Sequence, residues 1–122
     1  MARVAVSAQA CPGAYPTLPV GAGSRDVSFQ AYDAGLGCQA TIVDGKTLIL
    51  VRNEHVSDAK TVTFKSVADS VYKRTGDITT YSLAANDTAL FGPFKLAGWS
   101  NAGQLDIDAA SADIKLANIT LP

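Results

Sequence analysis

Apolar and polar residues alternate over short runs of this chain, which is the pattern of half-buried β-strands. Residues 61–65 (TVTFK) show it most clearly, with Val62 and Phe64 on one side and polar residues on the other. Residues 104–108 (QLDID) repeat it. Such runs recur at short spacing after residue 25, which is typical of a sandwich or barrel. The pattern predicts an all-β fold, an antiparallel, jelly-roll-like β-sandwich of about eight strands.

Two turn signals separate β-rich runs. Asp44-Gly45 is one, and Asp-Gly between apolar runs predicts a β-hairpin. The other lies within residues 77–94 (DITTYSLAANDTALFGPF), a strand–turn–strand unit. Asn86 can adopt the left-handed backbone that a tight reversal needs, and Pro93 stops the second run because proline cannot donate to a sheet ladder.

Two segments carry apolar residues on both faces. The pattern of residues 47–51 (TLILV) predicts a strand that is either central in its sheet or in contact with a partner on one side. Residues 113–121 are apolar at both odd and even positions and predict a final strand. Residues 66–76 break the alternation, so a single helical turn and a surface loop are equally compatible with them.

The first 25 residues differ from the rest in being rich in proline and glycine and poor in charge. They are still apolar, so we expect an extended N-terminal arm (1–25) that lies on its own domain or on a neighbouring subunit, with a disordered leader as the alternative. The β-sandwich domain is then 26–122. Candidate interface residues in the arm are Tyr15, Pro16, Leu18 and Pro19. Removal of residues 1–20 is expected to leave a folded domain.

The composition limits the classes of partner. The chain has 122 residues, 48% of them apolar and 17% charged, which suits one β-rich domain that contacts protein surfaces. The net charge is −1 and the only adjacent basic pair is Lys73-Arg74, so nucleic acid is not expected as a partner. The N-terminal apolar run is too short for an export signal, and no segment approaches the roughly 20 apolar residues of a membrane span. We expect a soluble protein that is not exported and has no membrane partner.

Few residues offer catalytic or metal chemistry. His55 is the only histidine, and with Glu54 and Asp58 it could form a metal site, although a solvated loop explains these residues better. Asp106 and Asp108 share one strand face at the separation of about 5–9.5 Å that glycosidase carboxyls use. Alternating aspartates on the wet face of a sheet account for them equally well. We therefore expect no enzyme and no cofactor.

Three further side chains leave alternatives open. Cys11 and Cys38 match no zinc spacing and are expected to be reduced thiols; the alternative is a disulfide between them, which needs an oxidising compartment. Trp99 lies in a glycine-bounded reversal. Its ring is expected either to fold back over the end of the sandwich as a plug or to anchor in a partner's pocket, as tryptophan often does at binding hot spots.

Four segments together resemble small β-sandwich head-decoration (cement) proteins of tailed bacteriophages. These segments are 43–53 (VDGKTLILVRN), 77–94, Gly98-Trp99 and 119–122 (ITLP). The resemblance extends over roughly residues 25–122 and consists of turn and core residues, with no catalytic residues to transfer.

The resemblance implies a virion structural protein made in the host cytoplasm. Such a protein assembles, commonly as a homotrimer, on the exterior of the expanded capsid, where it bridges neighbouring copies of the major capsid protein. A chain that lacks residues 1–20 is then expected to fold but neither to trimerise nor to decorate capsids. The alternative is a tail or baseplate accessory domain that binds a host-surface glycan. That role needs exposed aromatic side chains near Trp99, Tyr81 or Tyr32.

Overall fold

A computed structural model describes residues 3–11, 26–67 and 77–122 of the chain. Ten strands and one short helix lie in these ranges. The strands are β1 (Val4–Ala5), β2 (Ala8–Ala10), β3 (Gln30–Ala31), β4 (Cys38–Thr41), β5 (Thr47–Asn53), β6 (Lys60–Phe64), β7 (Ile78–Leu83), β8 (Thr88–Phe94), β9 (Gln104–Ala109) and β10 (Ile114–Thr120). The helix α1 (Leu96–Trp99) is hardly more than a turn, because Ala97 and Gly98 have non-helical backbone angles.

The strands form two five-stranded sheets that pack face to face, so the predicted all-β sandwich is confirmed. Sheet A has the order β1-β4-β9-β6-β7. Sheet B has the order β2-β10-β5-β8, and β3 also pairs with β10. Both sheets are mixed rather than purely antiparallel, because β1 runs parallel to β4 and β2 runs parallel to β10.

The parallel strands come from the start of the chain, so residues 3–11 lie on the sandwich of their own molecule. One segment supplies a short edge strand to each sheet, and Val6 between these two strands is only 4% exposed. The remainder of the predicted arm, with Tyr15, Pro16, Leu18 and Pro19, lies outside the described residues. So does most of the 66–76 segment.

The two predicted turns do reverse the chain, but each connects a strand of one sheet to a strand of the other instead of joining two neighbours in the same sheet. The hairpin predicted at Asp44-Gly45 is wrong, because β4 belongs to sheet A and β5 to sheet B. Gly45 still has the left-handed backbone that the turn needs, with φ 71°. Asn86 is left-handed as predicted, with φ 66°, and likewise joins β7 of sheet A to β8 of sheet B. A turn residue fixes the reversal of direction, whereas the strands' distant partners decide which layer each strand enters.

The core lies between the sheets and is built from the side of each strand that the alternation predicts. Val62, Phe64, Leu105 and Ile107 are all completely buried, as predicted from the sequence. Phe64 is the centre of an aromatic group, with its ring centroid 4.6 Å from that of Phe91. The largest fully buried apolar side chains are Phe64, Ile49, Leu105, Ile107, Ile114, Leu116, Val51 and Val62.

Candidate interaction surface

Strand β5 carries apolar side chains on both faces of sheet B. It is a central strand, which is the first of the two predicted alternatives, and lies between β10 and β8. Ile49 and Val51 point into the core and are fully buried. Leu48 and Leu50 alternate with them and therefore point away from the core, where they remain half-buried. The outer side of sheet B thus begins with two leucines rather than with polar residues.

Neighbouring strands extend this apolar surface. Leu50 lies opposite Leu90 of β8, and Leu48 lies opposite Ile119 of β10. Residues directly opposite each other in an antiparallel pair share one face of the sheet. Leu90 is 60% exposed, so it is the most exposed member of this group. We call Leu48, Leu50, Leu90 and Ile119 the apolar face.

Positive charge borders one end of the apolar face. Arg52 follows Leu50 on the same side of β5 and lies opposite Lys115 of β10. Its guanidinium carbon is 4.1 Å from the centre of the Phe29 ring, and its Nε donates a hydrogen bond of 2.8 Å to Glu54. A stacked and hydrogen-bonded arginine keeps few rotamers, so this end of the surface is preformed.

The outer side of sheet A is polar, in contrast to the apolar face of sheet B. Its strands present polar and charged side chains at every outward position from β4 to β6, and several of them pair with one another. Gln104 Nε2, for example, donates to Thr41 Oγ1 at 3.0 Å. The outward side chains are Gln39, Thr41, Thr61, Thr63, Gln104, Asp106 and Asp108. The outer side of sheet A is therefore polar, and we call it the wet face, whereas the outer side of sheet B carries the apolar face with Arg52 and Lys115 at one end.

Arg3 joins the N-terminal segment to the wet face. Its Nη1 donates to Asp108 Oδ1 at 2.7 Å and to the Ile107 carbonyl at 3.0 Å, and its Nε is 3.6 Å from Asp106. The hydrogen bond from Arg3 holds the pKa of Asp108 below its usual value and raises the pKa of Arg3. A glycosidase acid needs a raised pKa. The two aspartates instead bind one arginine, which fastens β1 to β9.

The His55 loop is organised by hydrogen bonds to the backbone. His55 Nδ1 accepts from the N–H groups of Ser57 and Asp58 at 3.1 and 2.8 Å. Glu54 pairs with Arg52 instead of converging on His55. Within the described ranges, no group of three or more histidine, cysteine, aspartate or glutamate side chains could hold a metal ion.

The aromatic candidates lie apart from the apolar face. Trp99 is partly buried and meets Phe94 edge-to-face at 5.1 Å, which is the geometry of the plug interpretation. Tyr32 is buried, whereas Tyr81 is half-exposed and packs edge-on against Phe91. Tyr15 lies outside the described residues.

Both cysteines are free thiols, as expected. Cys38 is fully buried, and burial raises its pKa, so it contributes a small apolar side chain to the core. Cys11 is half-buried at the end of β2. Among the described residues there is no helix of the length and apolarity needed to cross a membrane.

The sequence pattern predicts part of the apolar face. The double-sided apolar pattern of residues 47–51 and 113–121 contains Leu48, Leu50 and Ile119, but it does not show that they meet. Leu90 was missed because the pairing of β8 with β5 is needed to place it beside Leu50. Comparison of the chain with protein-family models, curated proteins and solved structures gave no match.

Proposed function

We propose that this protein is a virion structural protein that decorates the exterior of a phage capsid and stabilises it by bridging major capsid subunits. In this proposal the apolar face is the surface that contacts the capsid. The supporting observation is the asymmetry of the sandwich, since sheet A presents hydrogen-bonded polar side chains outward while sheet B presents Leu48, Leu50, Leu90 and Ile119.

The energetics favour docking through this face. Complete burial of one leucine side chain contributes about 1.5–3 kcal/mol, and Leu90 is still 60% exposed. The residues stand on three hydrogen-bonded strands, so little conformational entropy is lost when they meet a partner. A preformed apolar patch bordered by charge is the usual anatomy of a protein–protein contact.

Oligomerisation would add to this contact. A homotrimer would present three apolar faces to one shell, and linked sites bind far more tightly than single ones. The candidate contacts between copies remain those of the sequence: Tyr15, Pro16, Leu18, Pro19 and Trp99. Because Trp99 already packs on Phe94, any contact through it would use the part of its ring that stays exposed.

Capsid binding by charged variants tests the proposal. Leu50→Lys and Leu90→Lys each place a charge on the apolar face, and Thr63→Lys places the same charge on the wet face as a matched control. Expanded, undecorated capsids built from the major capsid protein of the same genome are sedimented with each variant. We expect both leucine variants to bind at least about tenfold more weakly and Thr63→Lys to bind within about twofold of the wild type. Equal binding by all three variants, or no binding by the folded wild type, would contradict the proposal.

A further inference from the structure

Strand β8 forms an edge of sheet B. It pairs with β5 on one side, and no strand of the described chain pairs with it on the other. An edge strand carries a row of backbone N–H and C=O groups that point away from the sheet and can pair with another chain.

The register identifies which of these groups are free. The Asn53 N–H donates to the Asp87 carbonyl at 3.0 Å, and the Asn86 N–H donates to the Asn53 carbonyl at 2.8 Å. Hydrogen-bonded and non-hydrogen-bonded positions alternate along an antiparallel ladder. Counting onward from this pair, Ala89 bonds to β5, whereas the N–H and C=O of Thr88 and Leu90 point to the free side.

Natural edge strands are normally blocked by charge, proline or a bulge. The matching edge of sheet A follows this rule, because Thr80 of β7 has a left-handed backbone with φ 46° and the register against β6 shifts beside it. Residues 88–91 of β8 contain no charge and no proline, and they pair regularly with β5. The irregularity and the proline of β8 come only after residue 91.

We propose that β8 pairs antiparallel with β8 of a second copy of this chain, with Thr88 of each copy opposite Leu90 of the other. A two-fold axis at Ala89 brings each free N–H of Thr88 and Leu90 to a free C=O of the other copy within the regular part of the strand, so the segment is its own complement. The pairing also makes the apolar faces of two copies continuous. A second copy is therefore favoured over an unrelated strand as the occupant.

The expected affinity in solution is low. A contact of about four residues buries less than the roughly 1,200–2,000 Å² of a stable interface, so the pairing joins existing units only at high concentration. A monomer would become a dimer, whereas a trimer, with three such edges, would form larger assemblies. Two copies that dock side by side on one shell gain effective concentration. That last gain rests on the proposed function, whereas the edge contact itself does not.

Hydrogen exchange measured by NMR at two protein concentrations tests the contact without any capsid. At about 10 μM we expect the Thr88 and Leu90 amides to exchange rapidly, and at about 1 mM to slow at least threefold, while Ala89 stays protected at both. Sedimentation equilibrium on the same samples reports the accompanying rise in mass, which is a doubling if the unit is a monomer.

A proline variant isolates the backbone contribution. Thr88→Pro removes an outward N–H at the first residue of the strand, where proline is tolerated, and Thr88→Ala keeps that N–H. We expect self-association to weaken about tenfold for Thr88→Pro and less than about twofold for Thr88→Ala. A mass that stays constant up to 1 mM, or association that leaves the Leu90 amide unprotected, would overturn the inference. A Leu50→Lys protein that no longer binds capsids but still pairs through β8 would show that the edge contact and the capsid contact are independent.

Discussion

Gly92 lies so close to the backbone of Thr47 that a Cβ atom added to it would be 2.6 Å from the Thr47 carbonyl oxygen. Its φ of 111° is also one that side-chain-bearing residues rarely adopt. Glycine at this position therefore lets β8 approach β5 where their register shifts, beside the apolar face.

Gly92→Ala is expected to destabilise the protein by about 3 kcal/mol, because a backbone clash adds to the backbone strain. Gly45→Ala is the matched control, since Gly45 also has a positive φ but no atom near its Cβ position. That control should cost about 1 kcal/mol. Urea unfolding measures both, and equal losses would show that the contact with Thr47 relaxes easily.

Two buried asparagines should respond differently to truncation. Asn53 Nδ2 donates to the Asp58 and Leu83 carbonyls at 2.9 Å each, and its Oδ1 accepts from the His55 N–H. Asn118 makes one long bond of 3.4 Å to the Val6 carbonyl, and its Oδ1 has no hydrogen-bond partner. We expect Asn53→Ala to cost about 3 kcal/mol and Asn118→Ala about 1 kcal/mol, since only the former leaves several buried groups unpaired. Thermal unfolding would contradict this if the order were reversed.

Acid should weaken the link between Arg3 and β9. The folded-state pKa of Asp108 is lowered by Arg3, so its contribution to stability is present above the usual carboxylate pKa and is lost as the pH falls through the lowered value. For a partly exposed pair this is about 1 kcal/mol. Asp108→Asn should lose that amount at pH 7 and show a smaller decline below pH 4. Asp87→Asn, in an exposed turn, is the control.

The N-terminal segment should contribute to folding stability. Val6 is 4% exposed, so Val6→Ala is expected to cost about 2 kcal/mol, whereas Val27→Ala, at a site 44% exposed, should cost less than about 0.5 kcal/mol. Deletion of residues 1–20 would also remove β1, β2 and Arg3. This deletion therefore lowers the folding stability as well as removing the arm, and a loss of assembly in it cannot be assigned to the arm alone. A Val6→Ala protein as stable as the wild type would show that this segment binds the sandwich only loosely.

Local patterns predicted the fold class and the buried side of most strands. Alternation alone placed Val62 and Leu105 in the core, and turn chemistry alone located the reversals at Gly45 and Asn86. The layer that each strand enters was not predictable, because it depends on long-range partners. Among the strands of the described ranges, only β6 and β7 are consecutive and pair within one sheet.

The apolar face, like the fold, was predictable only where it depends on local sequence. Apolar residues on both sides of β5 indicate that its outer side is also covered, either by the protein itself or by a partner, and Leu48 and Leu50 carry this signal. Leu90 and Ile119 join them only through the register of three strands. The parallel addition of β1 and β2 was missed because strands of two and three residues leave almost no periodic pattern.

Cryo-electron microscopy of virions that carry this protein would show which face of the sandwich meets the capsid. We expect density on the outside of the capsid in which the sandwich turns Leu48, Leu50 and Leu90 toward the major capsid protein and turns Asp106 and Asp108 toward solvent. Density that places sheet A against the shell, or particles whose capsid surface lacks this protein, would contradict it.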